Sequence, residues 1–142
     1  MRSGLVKLSY LTQQGKEQIK SFIAEGGMVG SLISLLEGGE ASFSALAMEP
    51  TRVEVMPFSL FQQMLDENPQ LQRFAVGFFQ QLALKKELRE YELLCLSASE
   101  RYQQFLQQHP QLSTRIKQAD LALYLGITPI ALSRLKHRNV AE

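Results

Sequence analysis

The sequence predicts an α+β chain: a short antiparallel β-meander, then a long helix, then a terminal helix-turn-helix. Three observations carry this. Apolar residues in the first third alternate or form short runs between Gly-containing turns, the period lengthens to that of a helix after Phe58, and a Gly turn flanked by apolar helical spacing lies near the end.

The 142 residues are 45% hydrophobic, enough for a real core and too much for a disordered chain. Leu5, Val6, Leu8 and Tyr10 are followed by Gln13-Gln14-Gly15-Lys16 and by Ile19, Phe22 and Ile23, the pattern of a hairpin. Turns at Glu25-Gly26-Gly27 and Glu37-Gly38-Gly39, the run Phe43 to Met48, and Val53 and Val55 alternating with charge bring the expectation to about five strands ending at Pro57. From Phe58 a helix carries Phe61, Met64 and Leu65, with Ser59 as candidate cap, up to Asn68-Pro69. Pro69 suits a first helical position, and the pattern then runs to about Leu96, roughly 40 Å of helix. Its stripe of Leu71, Phe74, Phe78, Leu82, Leu88 and Tyr91 recurs mostly every three or four residues and points to a partner helix, hence a homodimer. Ser97-Ala98-Ser99-Glu100 caps a further helix that stops at His109-Pro110.

Composition narrows the chemistry. Fifteen Lys and Arg against fourteen Asp and Glu leave a net charge of +1, so any nucleic-acid surface must be local. One cysteine, Cys95, rules out an internal disulfide framework and cannot hold an iron-sulfur cluster; it reads as a packed small hydrophobe. Neither His109, before a proline, nor His137 has the setting of a haem or metal ligand. No nucleophile and base pair, carboxylate pair or phosphate-cradling loop has supporting context, which argues against an enzyme. Apolar runs fall far short of about 20 residues, and no signal-peptide core follows Met1; a reduced, cytoplasmic chain without a membrane span is expected.

The segment Gln118 to Lys136 has the spacing of a DNA-reading helix-turn-helix. Small Ala122 permits close helix approach, Gly126 supplies the positive φ of the turn, and Ile127 with Leu132 fills the angle between the helices. Thr128 caps the second helix and Pro129 begins it. Ile130, Ser133, Arg134, His137 and Arg138 are left outward, with Lys136 nearby. Residues 115 to 142 carry five cations, Arg115, Lys117, Arg134, Lys136 and Arg138, against Asp120 and Glu142, a local charge of +3. The sequence divides accordingly into a β segment over 1–66, a long helix seeking a partner over 67–97 and a helix-turn-helix segment over 98–142.

The order of these parts, with Gly4-Leu5-Val6-Lys7-Leu8, Gly15-Lys16-Glu17, Val29-Gly30-Ser31-Leu32, Glu37-Gly38-Gly39-Glu40 and Tyr124-Leu125-Gly126-Ile127-Thr128-Pro129, resembles the Crp/Fnr superfamily over nearly the whole chain. The resemblance implies a partial cyclic-nucleotide-binding-like β-roll, a coiled-coil dimer helix and a helix-turn-helix that reads a palindromic operator in double-stranded DNA, with RNA polymerase as a further partner. It implies base contacts from Ser133 and Arg134, phosphate contacts from Lys117, Lys136 and Arg138, and an effector pocket around Gly30, Ser31 and Ser42. In cyclic-AMP-binding members a Glu follows the glycine matching Gly30 and an Arg precedes the serine matching Ser42; here Ser31 and Ala41 stand there. Losing two charge-assisted bonds worth about 1.5–3 kcal/mol each argues against tight cyclic-AMP binding, so no cofactor is expected. Ile130 departs from the polar residue usual in related recognition helices. Relative to the family the chain is short at both ends: a fragment, a misplaced start or a degenerate paralogue. The competing reading is a dimer-forming or ligand-binding module that does not bind DNA.

Overall fold

A computed structural model describes residues 1–139, with side chains through His137. The chain divides into two compact units: Met1–Val53 together with the described residues from Ser97 onward, and Glu54–Leu96.

The first unit is built on a three-stranded antiparallel sheet of order β2-β1-β3. Strand β1 (Val6–Leu11) pairs with β2 (Glu17–Ile23) from Val6 opposite Ile23 to Leu11 opposite Glu17, with a bulge at Leu8/Ser9. On its other edge β1 pairs with β3 (Ser44–Ala47), Val6 lying opposite Ala47. The hairpin closes where the sequence places it, by Thr12 N–H donating to Lys16 O at 2.9 Å around Gly15, whose φ is +73°.

Among the described residues three strands, not five, form. The stretch after Gly27 yields a short helix, α1 (Leu32–Glu37), because Ser31 Oγ accepts from Ser34 N–H and Leu32, Leu35 and Leu36 fall at helical spacing. The segment Arg52 to Met56 makes a single bridge, Ser3 to Arg52, and leaves Val53 and Val55 56% and 88% exposed. Alternation describes a surface suited to a sheet, but a strand also needs a neighbour to receive its hydrogen bonds.

Both faces of β1 are covered. Leu5, Val6, Lys7, Leu8 and Ser9 are all buried, whereas an alternating strand would bury only one set. Gly4, with φ +100°, precedes this strand; a Cβ there would fall 2.7 Å from Thr51 Cα, so both backbone conformation and space demand glycine.

Helix α4 (Ala98–Gln108) opens with a reciprocal cap: Ser97 N–H donates to Glu100 Oε2 at 2.8 Å, and Glu100 N–H donates to Ser97 Oγ at 3.3 Å. A short 3₁₀ turn (Pro110–Leu112) leads to α5 (Gln118–Leu125) and α6 (Pro129–Asn139). Leu5, Tyr102, Phe105, Leu112, Ile116, Leu121, Ala122, Leu125 and Leu132 form one continuous core, to which the sheet and the last helices both contribute.

The second unit pairs α2 (Phe58–Glu67) with α3 (Pro69–Cys95). The cap position of α2 is Pro57 rather than Ser59, which lies inside the first turn; Phe61 N–H bonds Pro57 O at 3.1 Å. Between the helices, Asn68 Oδ1 accepts from the Gln70 and Leu71 N–H groups at 2.9 and 3.2 Å, and Pro69 follows at the first helical position, where a missing N–H costs nothing. Along the 27 residues of α3 only Ala75 is buried. Of the expected stripe, Leu71, Phe78 and Leu82 are half-buried, while Phe74, Leu88 and Tyr91 are 50–58% exposed. Cys95, expected to be packed, is exposed. No described helix is long and apolar enough to cross a membrane.

Candidate nucleic-acid interface

The turn between α5 and α6 is set by local chemistry. Gly126 adopts the left-handed conformation at φ 71°, ψ 32°. Ile127 N–H reaches back to Ala122 O at 3.0 Å and Gly126 N–H to Leu123 O at 3.2 Å, the paired bonds of a Schellman ending. Arg101 of α4 donates from Nε to Leu125 O at 3.1 Å, placing a cation at the negative end of α5. Thr128 Oγ1 accepts from Ala131 N–H at 3.1 Å, so Thr128 caps α6 and Pro129 begins it.

The two helices meet over Ala122, Leu125 and Leu132, each fully buried, with Ile127 packed at their edge. Anchoring α6 by Leu132 turns Ile130, Arg134 and His137 outward at spacings of four and three residues, one exposed stripe along the helix. Ser133 is half-buried beside that stripe, Lys136 is half-buried, and Thr128 and Lys117 are exposed. Ile130 is 67% exposed. Arg138 lies outside the described side chains.

Arg115, counted in the local charge of the sequence, is already engaged. Its guanidinium donates to Glu25 Oε1 at 3.0 Å and Oε2 at 3.1 Å and to Glu49 Oε1 at 2.5 Å, two carboxylates supplied by the sheet region. Of the local cations, Lys117, Arg134 and Lys136 remain among the described side chains. Long-range partners of this kind cannot be read from a local charge count.

Arg115, with the N–H of Gly4, holds the Glu25 carboxyl at about 2, well below its ordinary 4.5. A carboxyl depressed on folding contributes stability that is full above its unfolded value and is lost as pH falls toward its folded one. The melting temperature is therefore expected to fall between pH 4.5 and about 2, and less steeply in Glu25→Gln. Equal slopes in the two melting series would remove Glu25 from the acid response.

At the expected effector pocket, Ser31 is buried and its hydroxyl is used to cap α1, while Ser42 and Ala41 are exposed ahead of β3. A Cβ on Gly30 would come 3.3 Å from Leu35 Cδ1, so the glycine permits close packing of its own loop. With Ser31 committed and no guanidinium at position 41, calorimetry with millimolar cyclic AMP is expected to show no binding or only weak binding. A sub-micromolar dissociation constant would overturn that expectation.

The chain carries a small antiparallel sheet, a long helix and a helix-turn-helix, and it is similar in these elements to known proteins. Residues 1–68 match the cyclic nucleotide-binding domain family. Over 97% of its length the chain is 28% identical to the fumarate and nitrate reduction regulatory protein of Vibrio cholerae, and it spans 59% of that protein. Among solved structures it is similar to FixK2 from Bradyrhizobium japonicum, with a TM-score of 0.70 at 18% identity over 96% of this chain and 71% of that one. It is also similar to a protein of Eubacterium rectale described as a Crp/Fnr-family transcriptional regulator, with a TM-score of 0.72 at 14% identity over 99% of this chain and 68% of that one. These likenesses show that the chain shares the fold of those proteins and that its residues 1–68 match the cyclic nucleotide-binding domain.

Proposed function

We propose that this chain is a sequence-specific, dimeric DNA-binding transcription regulator acting in the cytoplasm, with a degenerate cyclic-nucleotide-type effector segment. The observation that carries the reading is the exposed stripe Ile130, Arg134 and His137, with Ser133 beside it, on a helix capped by Thr128 and anchored by Leu132. Such a helix fits the major groove, where arginine pairs in bidentate fashion with guanine and an aliphatic side chain such as Ile130 suits a thymine methyl.

In this reading Arg134 and Ser133 read base edges, and Lys117, Lys136 and Arg138 hold phosphates. Residues 98–142 then bind DNA, 67–97 dimerise and 1–66 form the effector segment. Dimerisation spaces two recognition helices about 34 Å apart, matching successive major grooves of a palindromic site. RNA polymerase is the further partner such a regulator addresses.

The test is a gel shift on duplexes selected from a random palindromic library, repeated over a salt series. A DNA binder loses affinity steeply with salt because each phosphate contact releases counterions. Absence of any retarded species at low salt would favour a dimer module that has no DNA target.

A further inference from the structure

The helix-turn-helix does not complete its core alone. Leu5, leading into β1, is fully buried in the cluster that holds Leu121, Leu125 and Leu132. Phe22 of β2 packs its ring against Tyr124 of α5 and Phe105 of α4, at centroid separations of 5.4 and 6.5 Å. An apolar joint of this kind gives adhesion without direction, since hydrophobic burial depends on area and not on angle.

Direction comes from an ion pair inside the same joint. Lys7 Nζ, on the middle strand, donates to Asp120 Oδ1 of α5 at 2.9 Å and to Glu17 Oε2 of β2 at 3.0 Å. The side chains of Lys7 and Asp120 are only 10% and 15% exposed. Burial works to lower the Lys7 pKa, but the hydrogen bonds to Asp120 and Glu17 outweigh it and raise it, so the ammonium stays charged. A charge so little exposed holds its partner to a narrow geometry, because leaving it unpaired is expensive. Asp120 is the third residue of α5, and α5 passes into α6 through the bonded turn at Gly126. Whatever fixes Asp120 on the sheet therefore also fixes the direction of α6.

We infer that Lys7 is a positioning residue for DNA reading: through Asp120, the sheet of the effector segment sets the angle at which α6 presents Arg134. The inference rests on the DNA-binding reading above. It gives the sheet a role that requires no bound effector.

The experiment uses the full chain and three variants: Lys7→Met, which keeps most of the stem and removes the ammonium, the milder Asp120→Asn, and the double substitution. Hydrogen exchange is expected to quicken about tenfold for amides of α5 and α6 in either single variant, with the double no worse than Lys7→Met, as for two partners of one contact. Protection unchanged in both singles, or effects that add in the double, overturns the inference. In the DNA arm, the ratio of affinities for the selected palindrome and for random duplex is expected to fall about tenfold at an unchanged salt slope, since no phosphate contact is lost. A lowered melting temperature with that ratio intact would make Lys7 a stabilising residue only and overturn the inference. A wild-type chain that retards no duplex defeats the DNA-binding reading instead, and the exchange arm then decides alone whether Lys7 holds α6.

Discussion

Replacing Phe78 and Leu82 together by aspartate is expected to convert a dimer of this chain into monomers. In the single chain α3 presents Phe74, Phe79, Leu84, Leu88 and Tyr91 at 40–58% exposure, while Phe78 and Leu82 are half-buried along the same helix. So much exposed apolar surface on one helix is the mark of an interaction face. An unpaired carboxylate forced into an apolar seam costs about 3 kcal/mol or more, and a symmetric dimer would meet the substitution on both sides. Even about 6 kcal/mol in total weakens association by roughly 10⁴-fold. Sedimentation velocity reads the outcome directly, and an undisturbed dimer would remove these two side chains from the seam.

The second large effect is expected at Arg134. Arg134→Ala should cost about 1–3 kcal/mol on the selected duplex and relax preference at one base pair, as loss of a bidentate guanine contact does. Lys136→Ala is expected to weaken all duplexes alike and to lower the salt slope by about one, the behaviour of a phosphate contact. The geometry gives the contrast its basis: Arg134 is exposed, whereas Lys136 is half-buried at the flank of α6. Should both substitutions weaken selected and random DNA equally, Arg134 is itself a phosphate contact and base reading moves to Ser133. Should neither matter, the helix-turn-helix is structural only.

The parts of the fold governed by neighbouring residues were legible in the sequence. The hairpin at Gly15, the capping pair Ser97 and Glu100, Pro69 at the first turn of α3, and the Thr128 cap all arise from atoms a few residues apart. The stripe Ile130, Arg134 and His137 follows in the same way, because helical period and the burial of Leu132 together fix which side faces out. Two errors were local, the missed helix α1 and the start of α2 at Pro57 rather than Ser59, and the others arose where a partner was needed. Val53 and Val55 alternate as a strand should but have no ladder beside them, and Leu32 to Glu37 closes on itself as a helix once Ser31 caps it.

By itself, then, the sequence determined most of the local devices: the turns at Gly15 and Gly126, the caps at Ser97, Asn68 and Thr128, the extent of α3 and the outward face of α6. Tertiary structure alone decided what the charges and strand faces do. Lys7, a charged residue between the apolar Val6 and Leu8, is buried on Asp120, a residue 113 positions later. Arg115, which reads as part of a basic DNA-facing end, is held by Glu25 and Glu49, the former 90 positions earlier. Hydrophobic periodicity reports a residue's immediate chain geometry, whereas an ion pair depends on which distant segment the folded core brings alongside, and no spacing within the chain encodes that.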